Sequence, residues 1–300
     1  MSALPVRSVP RVSVVVPTFN RAQLLERLLH ALARCDVPRG GFEVIVVDDG
    51  STDGTAAVVA DAPLAVSYVR QENAGAAAAR NRGWRHAEGE LVAFTDDHCV
   101  PSPTWLVELD EAMERTACDG AGGCIVPLVP GYLADFVQAE RLVGHGGDTD
   151  DVKYLVTANA VFRRETLEAV GGFDERFPGA AGEDTDLTYR IQDRGLHLTL
   201  AGCGSVAHDH RTSVRGLFRT YYRHGRAWHI LAMAHPGRNG GTRSRIVTPA
   251  YWRERYGYYR DEGAGRFAAL TFCGLRVVGM ACFVIGMKQE AHADRRQART

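Results

Sequence analysis

Glu90-Leu-Val-Ala-Phe-Thr-Asp-Asp-His-Cys-Val-Pro101 is the stretch that decides how this chain folds. The run Leu91–Thr95 is apolar or β-branched at every position and too short for an ordinary helix, so it reads as a strand covered on both faces. It ends abruptly in Asp96, Asp97 and His98. In open α/β sheets, ligands gather beyond the carboxyl ends of the strands. Two buried carboxylates there need a cation or solvent to compensate them. An isolated Asp-Asp pair is more often a solvated turn. A second acidic strand end upstream and an acidic helix start downstream weigh against that plain reading.

The rest of the first half repeats the pattern. Val12–Val16 is a β-branched run ending at Pro17-Thr18-Phe19-Asn20, followed by Leu24, Leu25, Leu28, Leu29 and Leu32 at helical spacing. Phe42–Val47 is a second apolar run, closed by Asp48-Asp49-Gly50-Ser51, after which Asp53 is placed to cap a helix through Val58 and Val59. Ala65–Arg70 reads as a third strand and Ala76–Ala87 as an Ala-rich helix. Alternating strands and helices of this kind predict an α/β protein with a mainly parallel, Rossmann-like central sheet. Further on, Trp105–Arg115 and Glu183–Arg194 read as helices. Gly120–Val129 and Leu155–Phe162 read as extended segments, and Gly131–Asp151 has no clear pattern.

The 300 residues suffice for a large core, and 45% hydrophobic with 24% charged residues is ordinary globular composition. Met1–Arg11 lacks the apolar core of a secretion signal. Seven scattered cysteines with no Cys-x-x-Cys pair argue for reduced thiols in a cytoplasmic protein. The net charge of −1 conceals an asymmetry. Residues 1–210 hold 18 basic and 31 acidic residues, whereas 211–300 hold 17 and 5. Beyond about residue 213 the pattern turns helical and basic, so the chain divides into an α/β domain over 10–212 and a basic helical extension over 213–300. A Gly/Arg-rich connector occupies 235–245 within the extension. Phe267–Met287 is apolar enough to span a bilayer, but Arg276 lies near its centre. A central Arg costs about 2.5–3.5 kcal/mol on insertion scales, which favours a helix packed on the protein or lying on a membrane surface.

Taken together and in order, Val14-Val-Val-Pro-Thr-Phe-Asn-Arg21, Val46-Val-Asp-Asp-Gly-Ser-Thr-Asp53, Phe94-Thr-Asp-Asp-His98 and Gly182-Glu-Asp-Thr-Asp186 resemble the motifs of family 2 glycosyltransferases of the GT-A fold. Ala79-Arg-Asn-Arg-Gly83 and Gly171-Gly-Phe-Asp-Glu175 fit the same pattern, and the resemblance covers roughly residues 10–210. It implies a single nucleotide-sugar-binding domain, a nucleoside-diphosphate-sugar donor (UDP or dTDP) and inversion at the anomeric carbon. The acceptor hydroxyl would belong to a cell-envelope, lipid-linked, saccharide or small secondary-metabolite molecule.

The resemblance also assigns residues. Asp49 would accept from N3 of uracil or thymine, with Pro17, Thr18 and Asn20 lining the base and ribose. On the residues alone, Pro17 can equally end a strand and Asn20 can equally cap a helix. Arg80 would approach the diphosphate. Asp96 would engage the ribose or a divalent cation, Mn²⁺ or Mg²⁺. His98 stands where the family's Asp-x-Asp motif has its last Asp. That leaves Asp97 and His98 as alternative ligands, and imidazole shifts preference towards Mn²⁺. His208 would complete the metal site, His210 being the poorer positional match. Asp184 would be the general base, its pKa raised by Glu183 and Asp186 beside it.

Other function classes fit less well. A nucleotidyltransferase would want a Gly-rich, Lys-bearing phosphate loop, and a dehydrogenase a Gly-x-Gly-x-x-Gly after the first strand; neither is present. His98 in place of Asp leaves open a degenerate module that binds nucleotide-sugar within a membrane complex without turnover. No nucleic-acid partner is expected. The basic extension points to peripheral contact with the inner face of the cell membrane.

Overall fold

The computed structural model describes residues 9–297 except 141, 143, 150, 178, 211–212 and 239–247. The Gly/Arg-rich connector from residue 239 onward and Pro178 therefore lie outside the described residues. The chain forms two compact units. One contains the residues up to Leu128, from 143 to Glu175 and from Glu183 to Asp209; the other contains 129–142, 176–182 and everything from His210.

The first unit begins with the expected alternation: β1 (Val12–Thr18), α1 (Ala22–Leu32), β2 (Phe42–Asp48), α2 (Thr55–Ala60), β3 (Val66–Arg70), α3 (Ala76–His86) and β4 (Leu91–Thr95). It continues through β5 (Cys99–Pro101), α4 (Trp105–Thr116), β6 (Gly120–Gly122) and β7 (Ile125–Pro127). After α5 (Tyr132–Ala139) of the second unit come β8 (Gly146–Asp148), β9 (Asp151–Tyr154), β10 (Asn159–Arg163), α6 (Arg164–Val170), α7 (Glu183–Asp193), β11 (Leu198–Leu200) and β12 (Val206–His208). Seven strands form the central sheet in the order β11-β6-β10-β4-β1-β2-β3. All pair in parallel except β10, which runs antiparallel to both β4 and β6.

Alternation of side chains explains why these strands read as unbroken apolar runs. Val14 and Val16 of β1 face a core built with Leu25, Leu28 and Leu29 of α1 and Trp105 and Leu106 of α4. Val15, between them, faces the opposite core with Ala79 and Trp84 of α3, Phe173, and Leu187 and Ile191 of α7. Gly83 lets α3 approach this close, since a Cβ there would stand 2.3 Å from Val15 Cγ1. Asn81 ties the same helix to the Gly171–Glu175 turn. Its Nδ2 donates to Phe173 O and Glu175 Oε1, and its Oδ1 accepts from Phe173 N and Trp84 Nε1.

Three expectations need correction. Gly120–Val129 is not one strand: β6 joins the central sheet, while β7 joins a separate three-stranded sheet ordered β5-β12-β7. Gly123 makes the break, because a Cβ there would meet Gly204 O at 2.4 Å and the Asn159 amide at 2.6 Å. The extended segment expected at Leu155–Phe162 becomes a strand only from Asn159, and the unpatterned stretch after Gly131 contains the helix α5. Asp53 does not occupy the cap position of α2, which Gly54 fills. Its carboxylate instead links two helix starts, accepting from Thr55 N at 3.1 Å and from Ala22 N at 3.0 Å.

The second unit adds α8 (Val214–Ala234), α9 (Pro249–Asp261) and α10 (Arg266–Gln297) to α5. Among the described residues, Arg266–Arg296 is the one helix long and apolar enough to cross a membrane, yet only 17% of its most apolar window is buried. Arg276 is turned inward, onto the buried Glu140 carboxylate and 2.8 Å from the Tyr251 hydroxyl. Glu140 also accepts from Arg255 at 3.0 Å, from the Tyr259 hydroxyl at 2.6 Å and from the Tyr221 hydroxyl at 3.0 Å.

The close packing of α3 can be tested by Gly83→Ala. Helix propensity alone would stabilise the variant by about 1 kcal/mol. Forcing a methyl group into contact with Val15 costs about 1–3 kcal/mol, so a net loss of stability is expected in urea unfolding. A variant more stable than the parent would contradict the packing described.

Candidate active site

The register of the sheet brings the polar strand ends together. β4 pairs with β1 as Val12↔Leu91 through Val15↔Phe94, so Asp96 and Asp97 emerge beside Pro17 and Thr18. Thr18 Oγ1 donates to Asp97 Oδ2 at 2.9 Å. On the other side β1 pairs with β2 up to Thr18↔Asp48, and Asp49 N donates to Thr18 O at 2.9 Å. The three acidic or hydroxyl-bearing strand ends thus share one edge of the sheet.

Asp49 is buried and organises the loop leading into α3. Its Oδ1 accepts from Gln71 Nε2 at 2.7 Å and Ala74 N at 2.8 Å, and its Oδ2 accepts from Gly75 N at 2.9 Å. A carboxylate offers about four acceptor sites, so one remains for a further donor. Asp48, which the sequence reading did not single out, accepts from Ser51 N at 2.7 Å and from the Tyr68 hydroxyl at 2.5 Å. Pro17 is buried in β1, paired with Val47. Asn20 is exposed and takes a left-handed conformation with φ of 52°. It does not cap α1, whose cap position is Arg21. Its Oδ1 accepts from Thr52 N at 2.8 Å, which joins the two loops that follow β1 and β2.

Asp96, His98 and His208 converge, with one potential ligand atom from each lying within 4.8 Å of the others. Topology brings His208 there. β12 runs antiparallel to β5 with His208 opposite Cys99, and the His98 and His208 rings stand 4.4 Å apart between centroids. One carboxylate and two imidazoles form a donor set that fits a divalent transition-metal cation. Two opposed donors on a cation with bonds of about 2.1 Å stand about 4.2 Å apart, which is compatible with this spacing.

Two expected contacts are placed differently from the sequence reading. Asp97 stands outside the three-residue cluster. It is buried between Thr18, Arg21 NH1 at 3.0 Å and His98 Nδ1 at 3.1 Å. Asp97 Oδ1 and Arg21 NH1, the latter 3.3 Å away, both meet Nδ1 and orient the His98 ring. Arg21 was the missed residue here, and nothing in its position after Asn20 distinguishes it from an ordinary helix-start arginine. Arg80 is only 2% exposed and bridges two carboxylates, donating to Asp96 Oδ1 at 2.9 Å and to Glu183 Oε1 at 2.8 Å.

This bridge sets the electrostatics. Burial would raise the Asp96 carboxyl, but the Arg80 guanidinium, helped by His98 and His208, outweighs it and holds Asp96 at about 2. Burial and the Asp184 charge push Glu183 up to about 7, against the pull of Arg80. The second Glu183 oxygen, Oε2, is buried without a hydrogen-bond partner. Burial also raises Asp184, with Arg80 opposing. Asp184 lies in the first turn of α7, and its Oδ1 accepts from Thr185 N at 2.8 Å.

Known proteins resemble this chain in sequence and in fold. The family described as Glycosyl transferase family 2 matches residues 13–171. Validoxylamine A glucosyltransferase of Streptomyces hygroscopicus subsp. jinggangensis is 34% identical over 227 residues, covering 64% of this chain and 54% of that protein. Pre-mycofactocin glycosyltransferase of Mycobacterium tuberculosis is 31% identical over 240 residues, 75% of this chain and 48% of that protein. The chain spans about half the length of these curated relatives. Among solved structures, the mannosyltransferase PcManGT of Pyrobaculum calidifontis, in complex with GDP-Man and Mn²⁺, superposes with a TM-score of 0.60 at 24% identity, covering 97% of this chain and 81% of that one. TarS 1–349 of S. aureus, in complex with UDP-GlcNAc, gives 0.57 at 17% identity over 94% and 92%. The fold is therefore GT-A-like, and the chain belongs to glycosyl transferase family 2.

Proposed function

We propose that this chain is an inverting glycosyltransferase. It moves a sugar from a nucleoside-diphosphate sugar, UDP or dTDP, to a hydroxyl of a secondary-metabolite, lipid-linked or cell-envelope acceptor. The observation that carries the reading is the Arg80 bridge. It ties the acidic start of α7 to the Asp96 end of β4, so the proposed base and the metal cluster belong to one charge-linked site. The names of the relatives, which include validoxylamine A glucosyltransferase and pre-mycofactocin glycosyltransferase, support sugar transfer to an acceptor molecule.

In this mechanism Asp49 accepts from the N3–H of a pyrimidine base with its remaining lone pair. Pro17, Thr18 and Asn20 border the base and ribose. Asp96, His98 and His208 would hold a divalent cation, Mn²⁺ in preference to Mg²⁺ because two donors are imidazole. Bound there, it would supply positive charge against the nucleoside diphosphate as that group leaves. Asp97 orients His98 instead of ligating, and Arg80 acts through Asp96 and Glu183. Asp184 takes the acceptor proton on the oxygen that Thr185 leaves unbound. The acceptor oxygen then attacks the anomeric carbon from the face opposite the diphosphate, and configuration inverts. The basic extension is proposed to hold the protein peripherally at the cytoplasmic membrane face.

Asp184→Asn keeps the shape of the site but removes the base. It should bind nucleotide as the parent does and lose about 10²–10⁴-fold in transfer rate of a radiolabelled sugar. Near-parental turnover would remove Asp184 from this role. Chelation should abolish transfer, with Mn²⁺ restoring more than Mg²⁺, and His208→Ala should lose the Mn²⁺ response; full activity of metal-free protein would overturn the cation assignment.

The pH profile follows from the raised carboxyls. A base works only when deprotonated, and the pKa of Asp184 lies above the ordinary carboxylate value. The acid limb of kcat should therefore fall at a higher pH than the value of about 4 for a free carboxyl. Glu183, raised to about 7, is largely protonated and uncharged where Asp184 titrates, so Glu183→Gln should leave the limb where the parent has it. A limb that moves or disappears in this variant would show that the titration belongs to Glu183.

A further inference from the structure

Helix α10 turns outward the face that a soluble helix normally buries. Phe267 is 79% exposed, Leu270 62%, Val277 52% and Ile285 58%. With Gly274, Val278, Ala281 and Val284 they recur every three to four residues, forming one continuous exposed stripe. No charged side chain interrupts it, because Arg276 points to the opposite face and meets Glu140 and Tyr251. Between Phe267 and Ile285 the stripe is about 27 Å long at 1.5 Å per residue. Exposed cations mark its ends: Arg266 at one, Lys288, Arg295 and Arg296 at the other.

The opposite side of α10 is held at backbone contact by α8. A Cβ on Gly225 would clash with Phe283 O, and one on Gly286 with Tyr222 O, each far inside van der Waals contact. Arg226 of α8 pairs with Glu290 at 2.5 Å, and His229 pairs with Asp294 at 2.8 Å. Crossing a bilayer would require α10 either to leave α8 and Glu140 or to carry those charges into hydrocarbon. A helix lying in the surface plane keeps every one of these contacts. Trp252 and Tyr256 of α9 are half-exposed, and such amphipathic rings favour the headgroup layer.

We propose that the exposed face of α10 docks onto an anionic lipid bilayer. Its apolar stripe enters the boundary of the acyl chains, and Arg266, Lys288, Arg295 and Arg296 reach the phosphates. Charge selects this occupant over a second copy. Residues 211–300 carry 17 basic and 5 acidic residues, so pairing two copies brings like charges together, whereas an anionic surface neutralises them. The proposal does not depend on the sugar donor or on catalysis.

Co-sedimentation of the full chain with vesicles tests it. The protein should pellet with mixed phosphatidylglycerol–phosphatidylcholine vesicles, less with pure phosphatidylcholine, and less at high salt. Leu270→Gln combined with Val277→Gln and Ile285→Gln should weaken binding by about tenfold or more while the urea midpoint stays at the parental value. Lys288→Glu with Arg295→Glu and Arg296→Glu should lose binding to the anionic vesicles alone; this variant carries the test if the first unfolds more readily. Parental protein that stays in the supernatant with both vesicle types overturns the proposal. So does equal vesicle binding by the parent and both variants. A dimer in analytical ultracentrifugation that the Gln variant abolishes, without vesicle binding, would instead make the face an interface between copies.

Discussion

The first unit depends on a buried guanidinium. Arg80 lies inside the protein with its terminal nitrogens on Asp96 and Glu183, 2.9 and 2.8 Å away. Removing a cation from water costs several kcal/mol after relaxation, and paired carboxylates offset that cost only with good geometry. The converse holds for the carboxylates: without Arg80, half-buried Asp96 and buried Glu183 would lose the guanidinium that favours their charged forms. The same charge therefore has opposite effects at its two ends. At Asp96 it prevails over burial and keeps the carboxylate anionic, as a cation ligand must be. At Glu183 burial and the Asp184 charge prevail, and the carboxyl sits near neutrality.

Around this pair the loops are fixed by short polar side chains instead of by core packing. Asp48 and Asp49 each receive backbone N–H groups from the chain that follows, and Asp53 joins the starts of α1 and α2. These carboxylates answer donors that strand ends and helix starts would otherwise leave unpaired. That explains why acidic residues cluster after β2, and why only part of the cluster remains to meet a ligand.

Much of this was legible in the sequence, for a physical reason. Parallel strands buried on both faces must be apolar throughout, so β1, β2 and β4 stood out, and their sharp polar ends marked the functional edge. The ordered motifs pointed to the family and to Asp96, His98 and His208 as neighbours. Short strands were not legible. β6 and β7 belong to different sheets because Gly123 approaches Gly204 and Asn159, and proximity of distant backbones leaves no trace in local periodicity. Nor was the direction of a long side chain. Arg80 was recognised as part of the site, but its inward turn onto two carboxylates depends on α7 arriving from a hundred residues away. Asp97 was one of three equivalent-looking donors until Thr18 and Arg21 took up its oxygens.

The second unit leaves an apolar face of α10 exposed, and one carboxylate explains why. The Glu140 side chain is buried and collects Arg255, Arg276, Tyr221 and Tyr259. A single anion among two guanidiniums and two hydroxyls is well hydrogen-bonded, and burial together with that carboxylate raises both tyrosines above their ordinary range. Satisfying this cluster fixes the rotation of α10 about its axis. Arg276 must face inward, and with 3.6 residues per turn the stripe Phe267–Leu270–Val277–Ile285 must then face outward. The central arginine that argued from sequence against a spanning helix is therefore the residue that turns the apolar face out. Whatever covers that face meets a surface whose exposure is enforced from within.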